Sequence, residues 1–166
     1  ADDTLKHLQS LYEKHKILSY PRTSSRYLSK DLAPKLPGLL TKISQVPQIE
    51  QPVKDIQLKK RTIASRMVDD KKVTDHHAII PTDKQPNIAL LTAEELNIYI
   101  MIIKRFVASF MPECLKDHTE IIAQFDVHKF KATGTVIKQA GWRELYSNDG
   151  ENLKSQKQVE IQLPIV

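Results

Sequence analysis

Apolar residues recur at helical spacing near the start of this chain and again past its middle, and prolines interrupt the stretch between. Leu5, Leu8, Leu11 and Tyr12 fall on one face of a first helix, which Asp3 or Thr4 is placed to cap. Lys14 and Lys16 suit the carbonyl end of its dipole. A short apolar run, Ile17-Leu18-Ser19-Tyr20, is then stopped by Pro21. A residue before proline is pushed into extended geometry, so Tyr20 is expected at the end of a strand-like segment. Ser29 reads as a further helix cap. Pro34, Pro37, Gly38, Pro47 and Pro52 predict short helices and connectors. Residues 53–68 mix apolar and basic positions and are expected to be helical in part.

The clearest helix lies later. Thr92-Ala93-Glu94-Glu95 matches a capping box, Leu96, Tyr99, Ile103, Phe106 and Phe110 follow at spacings of three and four, and Pro112 ends the run. From His118 the pattern changes to strands, expected at 119–127, 130–138 and 142–146, with turns near 126–129 and 140–141. A polar loop at 147–155 and a last strand at 159–166 complete the reading. The fold class is therefore α+β: a mostly helical domain over 1–112, then part of an antiparallel β domain over 113–166.

Composition narrows the classes. The chain has 166 residues, room for one domain or one and part of another, and its 40% apolar content is that of a soluble globular protein. No apolar run approaches the roughly 20 residues needed to span a bilayer, and the acidic start lacks a signal peptide's basic and apolar regions. Cys114 is the single cysteine, so neither an internal disulfide nor a thiolate metal site can form, and a reducing, cytoplasmic setting is expected. The net charge of +5 is modest, but its distribution is uneven. Residues 1–84 carry sixteen Lys and Arg against ten Asp and Glu, whereas 85–166 are close to balanced. The basic excess coincides with the unusual motifs.

The first motif is Leu18-Ser19-Tyr20-Pro21-Arg22-Thr23-Ser24-Ser25. In an extended segment Tyr20 and Arg22 project to the same side. A guanidinium presents a planar fork of donors that matches phosphate oxygens at any working pH. A phenol beside it is a candidate nucleophile towards a phosphodiester, although its ordinary pKa near 10 requires nearby positive charge or a base. Phenoxide is also a good leaving group, which suits break-and-reseal chemistry better than hydrolysis. Tyr-x-Arg spacing alone is weak evidence, because most such triplets are surface or packing features.

The second motif is Asp75-His76-His77-Ala78-Ile79-Ile80-Pro81-Thr82. Adjacent histidines on an extended chain point apart, so one can reach a phosphate while the other packs or meets solvent. An imidazole near a scissile phosphate can stabilise developing charge or donate a hydrogen bond. The plain alternative is a loop pair preceding a buried Ala-Ile-Ile strand. The remaining histidines lack spaced Cys or Glu partners, so no metal site is expected in this chain. The helix beginning at Thr92 is read as core. Trp142 and Tyr146 could stack on bases, but packing of the β part is the simpler reading.

Together, "ILSYPRTSS" and, some fifty residues later, "VTDHHAIIPT" resemble the type IA DNA topoisomerases, particularly the topoisomerase III branch. The resemblance runs from "DTLKHLQSLYEKHKILSYPRT" through "YIMIIKRFVASFMPE" into "FKATGTVIKQAGWRELY" and so covers nearly the whole chain. It implies that Tyr20 attacks single-stranded DNA, forming a 5′-phosphotyrosyl bond and releasing a 3′-hydroxyl. Arg22 would hold the scissile phosphate. His76, two residues before the Ala-Ile pair, aligns with the family's phosphate-contacting histidine rather than His77. Thr23, Arg26 and His77 would add DNA contacts. Ser24 departs from the acidic residue that many relatives carry there.

The resemblance also implies what would lie elsewhere. The family's Mg²⁺ site and acid–base residues belong to a Toprim domain, and Asp69-Asp70 beside Lys71-Lys72 reads only as a solvated turn. The chain is thus expected to be an internal fragment, with domain III-like and partial domain II-like regions, inactive alone and binding no Mg²⁺ itself. Its expected partners are single-stranded DNA and the parent's remaining domains, with no membrane. Tyrosine recombinases and type IB topoisomerases, which form 3′ linkages, are disfavoured because their tyrosine follows the arginines and histidine. The non-enzymatic alternative is a single-stranded nucleic-acid-binding module in which Tyr20 is structural.

Overall fold

The computed structural model describes residues 2–147. The fold is α+β, and the chain divides into two compact units, Ala1–Met111 and Pro112–Val166.

In the first unit, α1 spans Asp2–Glu13, with Asp2 and Asp3 in the first turn where the helix dipole favours carboxylates. Asp3 and Thr4 therefore lie inside the helix and do not cap it; Asp3 instead pairs with Lys6 at 3.2 Å, one turn on. Past the end of the helix, Lys16 adopts a left-handed φ of 59°, and the Ile17 N–H donates back to the Leu11 carbonyl at 3.0 Å. That reversal drives Ile17 and Leu18 into the core, where both are buried.

The prolines act at positions that cost no helical hydrogen bond. Pro37 sits in the first turn of α2 (Leu36–Ile43) and Pro52 in that of α3 (Glu50–Leu58). The two helices and the turn between them bury Leu36, Leu40, Ile43, Val46, Ile49, Val53 and Ile56. Each contributes about 1.5–3 kcal/mol of apolar burial, enough to outweigh the weak helix propensity of these short segments. Ser29 caps no helix: a short 3₁₀ turn, Ala33–Lys35, follows, and the Ser29 hydroxyl hydrogen-bonds Asp31, lowering that carboxyl's pKa. Between 53 and 68 only α3 and the 3₁₀ turn Ser65–Met67 are helical.

The helix α4 (Ala93–Ala108) packs on α1 and buries Tyr99, Ile103, Phe106 and Val107. Both halves of the capping box are made: the Glu95 N–H donates to Thr92 Oγ1 at 3.2 Å, and Glu95 Oε2 accepts from the Thr92 N–H at 2.9 Å. The same carboxylate lies 3.4 Å from His15 Nε2, with only 6% and 10% of the two side chains exposed. The sequence pattern marked Glu95 as a cap; the structure adds that it joins the end of α1 to the start of α4. A hydrogen bond from Ser10, then the Thr92 N–H and the neighbouring His15 and Lys14, hold its carboxyl below the ordinary value against the opposing effect of burial.

In the second unit, β1 (Leu115–Phe125) and β2 (His128–Gln139) form an antiparallel hairpin with Phe125 opposite His128. Asp126, at a left-handed φ of 51°, opens its two-residue turn. Lys131–Glu120 and Lys138–Asp117 pair across the strands. The expected strand at 142–146 is instead the 3₁₀ helix Gly141–Tyr146. Gly141 has φ 55° and packs its bare Cα against the Pro112 and Glu113 carbonyls, where a Cβ would overlap them, and the Trp142 N–H donates to Pro112. Here the Trp142 and Tyr146 rings meet edge to face. The polar loop beyond Ser147 and the final strand at 159–166 lie outside the described residues.

A carboxyl whose folded pKa is depressed adds stability that is complete above its unfolded value near 4.5 and is lost as pH falls through the folded value. Glu95→Gln is therefore expected to lower stability at neutral pH by about 1–2 kcal/mol and to flatten the fall in Tm below that pH. Thermal melts of both proteins from about pH 3 to about pH 7 check this, and parallel curves would contradict it.

Candidate active site

Two chain segments some sixty residues apart build the site. Residues 17–19 pair antiparallel with 80–82 through a bridge between Leu18 and Pro81. The Ser19 N–H donates to the Ile80 carbonyl at 2.9 Å, the Thr82 N–H to the Ile17 carbonyl at 3.2 Å, and the Ile80 N–H to Ser19 Oγ at 2.9 Å. Thr82 Oγ1 donates to the Lys16 carbonyl at 2.7 Å, holding the left-handed turn that ends α1. Further along, the Ala78 N–H donates to the Tyr27 carbonyl and Leu28 bridges Val68 in parallel. Ser25 Oγ donates to the Lys72 carbonyl at 2.8 Å. Short polar residues thus replace a continuous ladder that Pro21 and Pro81, lacking N–H donors, could not complete.

This pairing carries Tyr20 to His76. Their ring centroids are 4.3 Å apart with an interplanar angle of 39°, and Tyr12 of α1 meets the Tyr20 ring edge-on at 5.4 Å. The sequence marks Tyr12 only as a position on the apolar face of α1. Its 38% exposure at the end of an otherwise inward stripe is the one sign of another use. Thr23 Oγ1 donates to the His76 carbonyl at 3.0 Å and accepts from the Ser25 N–H at 3.0 Å, so one threonine fixes both loops.

The two histidines do diverge. His76 is exposed against Tyr20, whereas His77 is half-buried with Nδ1 2.7 Å from the Ala78 carbonyl. Arg22 is exposed at the tip of a three-residue turn in which the Thr23 N–H donates to the Pro21 carbonyl at 3.2 Å. Simple alternation along a strand therefore does not describe where Arg22 projects relative to Tyr20. Among the described residues, Arg22 and Arg26 form no ion pair or hydrogen bond, which leaves both forks available to an anion.

The other phenols near this chain's core are differently employed. Tyr99 is fully buried, and burial pushes its phenol pKa up, so it stays protonated. The Tyr27 ring lies 4.5 Å beneath Lys72 Nζ, which also reaches its hydroxyl at 3.4 Å. Asp69, then Tyr27, raise the Lys72 ammonium's pKa. Asp69 caps the 3₁₀ turn Asp70–Lys72, so the acidic pair has a local structural use. Among the described residues no group of three or more His, Cys, Asp or Glu could hold a metal ion, and no helix is long and apolar enough to cross a membrane.

Because Thr23 joins the two loops, Thr23→Val is expected to cost about 1 kcal/mol and to loosen Tyr20 from His76. Chemical denaturation and ring-to-ring nuclear Overhauser effects measure the two consequences; unchanged ring contacts would show that Thr23 is not the tie.

A DNA topoisomerase family model matches residues 1–165. DNA topoisomerase 3 of Bacillus subtilis (strain 168) is 38% identical over 166 residues, which is 99% of this chain and 22% of that protein. A DNA topoisomerase 3 of Bacillus cereus is 40% identical over 164 residues, covering 98% of this chain and 22% of that protein. The chain thus spans about 22% of the length of these curated relatives. It belongs to the DNA topoisomerase family, in the type IA class and its topoisomerase III-like branch.

Proposed function

We propose that this chain is the nucleophile-bearing segment of an enzyme that changes DNA topology by transient cleavage of single-stranded DNA. The observation that carries this reading is the Tyr20–His76 ring contact at 4.3 Å, made by segments more than fifty residues apart in the chain. The Tyr20 phenol oxygen forms a bond to phosphorus as the bond from phosphorus to the 3′ oxygen breaks, leaving a 5′-phosphotyrosyl strand and a 3′-hydroxyl. Return attack by that hydroxyl restores the phosphodiester and releases the phenol. Arg22 binds the scissile phosphate, and His76 donates to a non-bridging oxygen as charge develops there. Thr23, Arg26 and His77 support the strand or the loop that meets it.

Residues 1–112 correspond in this reading to the family's domain III and 113–166 to part of domain II. Mg²⁺ belongs in this reading to the Toprim domain of the full-length protein. That domain and single-stranded DNA are the partners, and the cytoplasm is the setting. The chain by itself is expected to leave supercoiled DNA unrelaxed.

The test is covalent trapping of labelled single-stranded DNA by the full-length protein. Tyr20→Phe is expected to abolish the adduct while DNA binding persists, and Arg22→Ala to slow cleavage by about 10²–10³-fold. An adduct that survives in Tyr20→Phe would move the nucleophile to Tyr27. A wild-type protein that binds without any adduct would favour the non-catalytic binding module.

A further inference from the structure

A cavity of about 260 Å³ opens between the loop that follows Tyr20, the strand-like segment that follows His76, the segment after α3, and α4. Its lining is mostly apolar, with Leu28, Ile63, Met67 and Phe106, and it includes two arginines, Arg26 from the loop and Arg105 from α4. Both arginines are exposed, and neither makes an ion pair or hydrogen bond among the described residues. Thr23, whose hydroxyl holds the His76 loop, also lines it.

Two unpaired arginines on a small, mostly apolar cavity match one ligand chemistry well: a flat aromatic ring attached to phosphates. Arginine forks take phosphate oxygens in pairs, and a base that leaves water for such a lining gains stacking and dispersion contacts without regard to its identity. Paired bases of a duplex cannot enter. Resting on the reading of Tyr20 as nucleophile, we propose that this cavity receives the base of a nucleotide flanking the cleaved phosphodiester, with Arg105 and Arg26 on the adjoining phosphates. Arg105 is thereby a substrate-positioning residue that selects single-stranded DNA and sets which phosphate reaches Tyr20. It escaped the sequence reading because an arginine on the outward face of an amphipathic helix is ordinarily just solvated.

The experiment measures binding of labelled oligothymidylate to this chain by fluorescence anisotropy over a series of salt concentrations. The same oligonucleotide lacking its bases, and a duplex, serve as comparison probes. Arg105→Ala is expected to weaken oligothymidylate binding about tenfold and to lower the salt slope by about 0.7, one phosphate contact on a single strand. Arg105→Lys should keep the slope and lose part of the affinity. The abasic and duplex probes should bind wild type several-fold more weakly than oligothymidylate. Equal affinity for the abasic probe, an unchanged slope in Arg105→Ala, or no oligothymidylate binding would each overturn the proposal. Since Arg105 is exposed, unchanged circular dichroism will establish that Arg105→Ala is folded. Adduct formation independent of Tyr20 would sink the functional reading instead, and leaves these binding results standing.

Discussion

The antiparallel pairing of residues 17–19 with 80–82 is the constraint on which the site depends. It spans some sixty residues of chain, so closing it carries a loop-entropy cost that grows only slowly with length. Buried Ile17, Leu18 and Ile80 offset that cost, and Ser19 and Thr82 add side-chain hydrogen bonds where Pro81 removes a backbone donor. The left-handed residue Lys16 is part of the same arrangement. Without its reversal at the end of α1, the apolar run would continue away from the core instead of across it. A left-handed non-glycine residue costs about 1–2 kcal/mol, and the Thr82 hydroxyl on its carbonyl helps to hold it.

A rigid frame surrounds this pairing. The α1–α4 contact is anchored at one end by Glu95, which serves a helix cap, Ser10 and His15 with one carboxylate. The α2–α3 pair supplies a second set of buried aliphatic side chains. Against that frame the candidate site's side chains are only half-buried or exposed, and they hang from loops rather than from regular strands. Precision at Tyr20 therefore comes from a few short hydrogen bonds to backbone carbonyls, with Thr23 and Ser25 as the main ones. Such a loop can shift its side chains without disturbing the core.

Much of the helical unit was legible. The capping box and the stripe from Leu96 to Phe110 specify α4, because both are local signals that tertiary packing reinforces. The prolines between 34 and 52 correctly marked short helices, since a proline in a first turn costs nothing. Ser29 and the 142–146 segment misled for a shared reason. Each has a local pattern compatible with two conformations, and a contact outside that pattern chose: Asp31 in a turn for the first, the Pro112 and Glu113 carbonyls for the second. Likewise, alternation along a strand suggested Arg22's direction, but a turn at Pro21–Thr23 governs it.

By itself the sequence determined the α+β class, the helical face of α4, the extended exit through Tyr20 and Pro21, and the two motifs that mark the type IA family. These follow from local periodicity, capping and the stereochemistry of proline, which act within a few residues. The two motifs had already pointed to His76 rather than His77; only the tertiary structure decided that its ring lies against the Tyr20 ring, that Tyr12 flanks the pair, and that Arg26 and Arg105 line one cavity. Those relations depend on which loops a sixty-residue closure brings together, and no local propensity encodes the direction of a side chain across that distance.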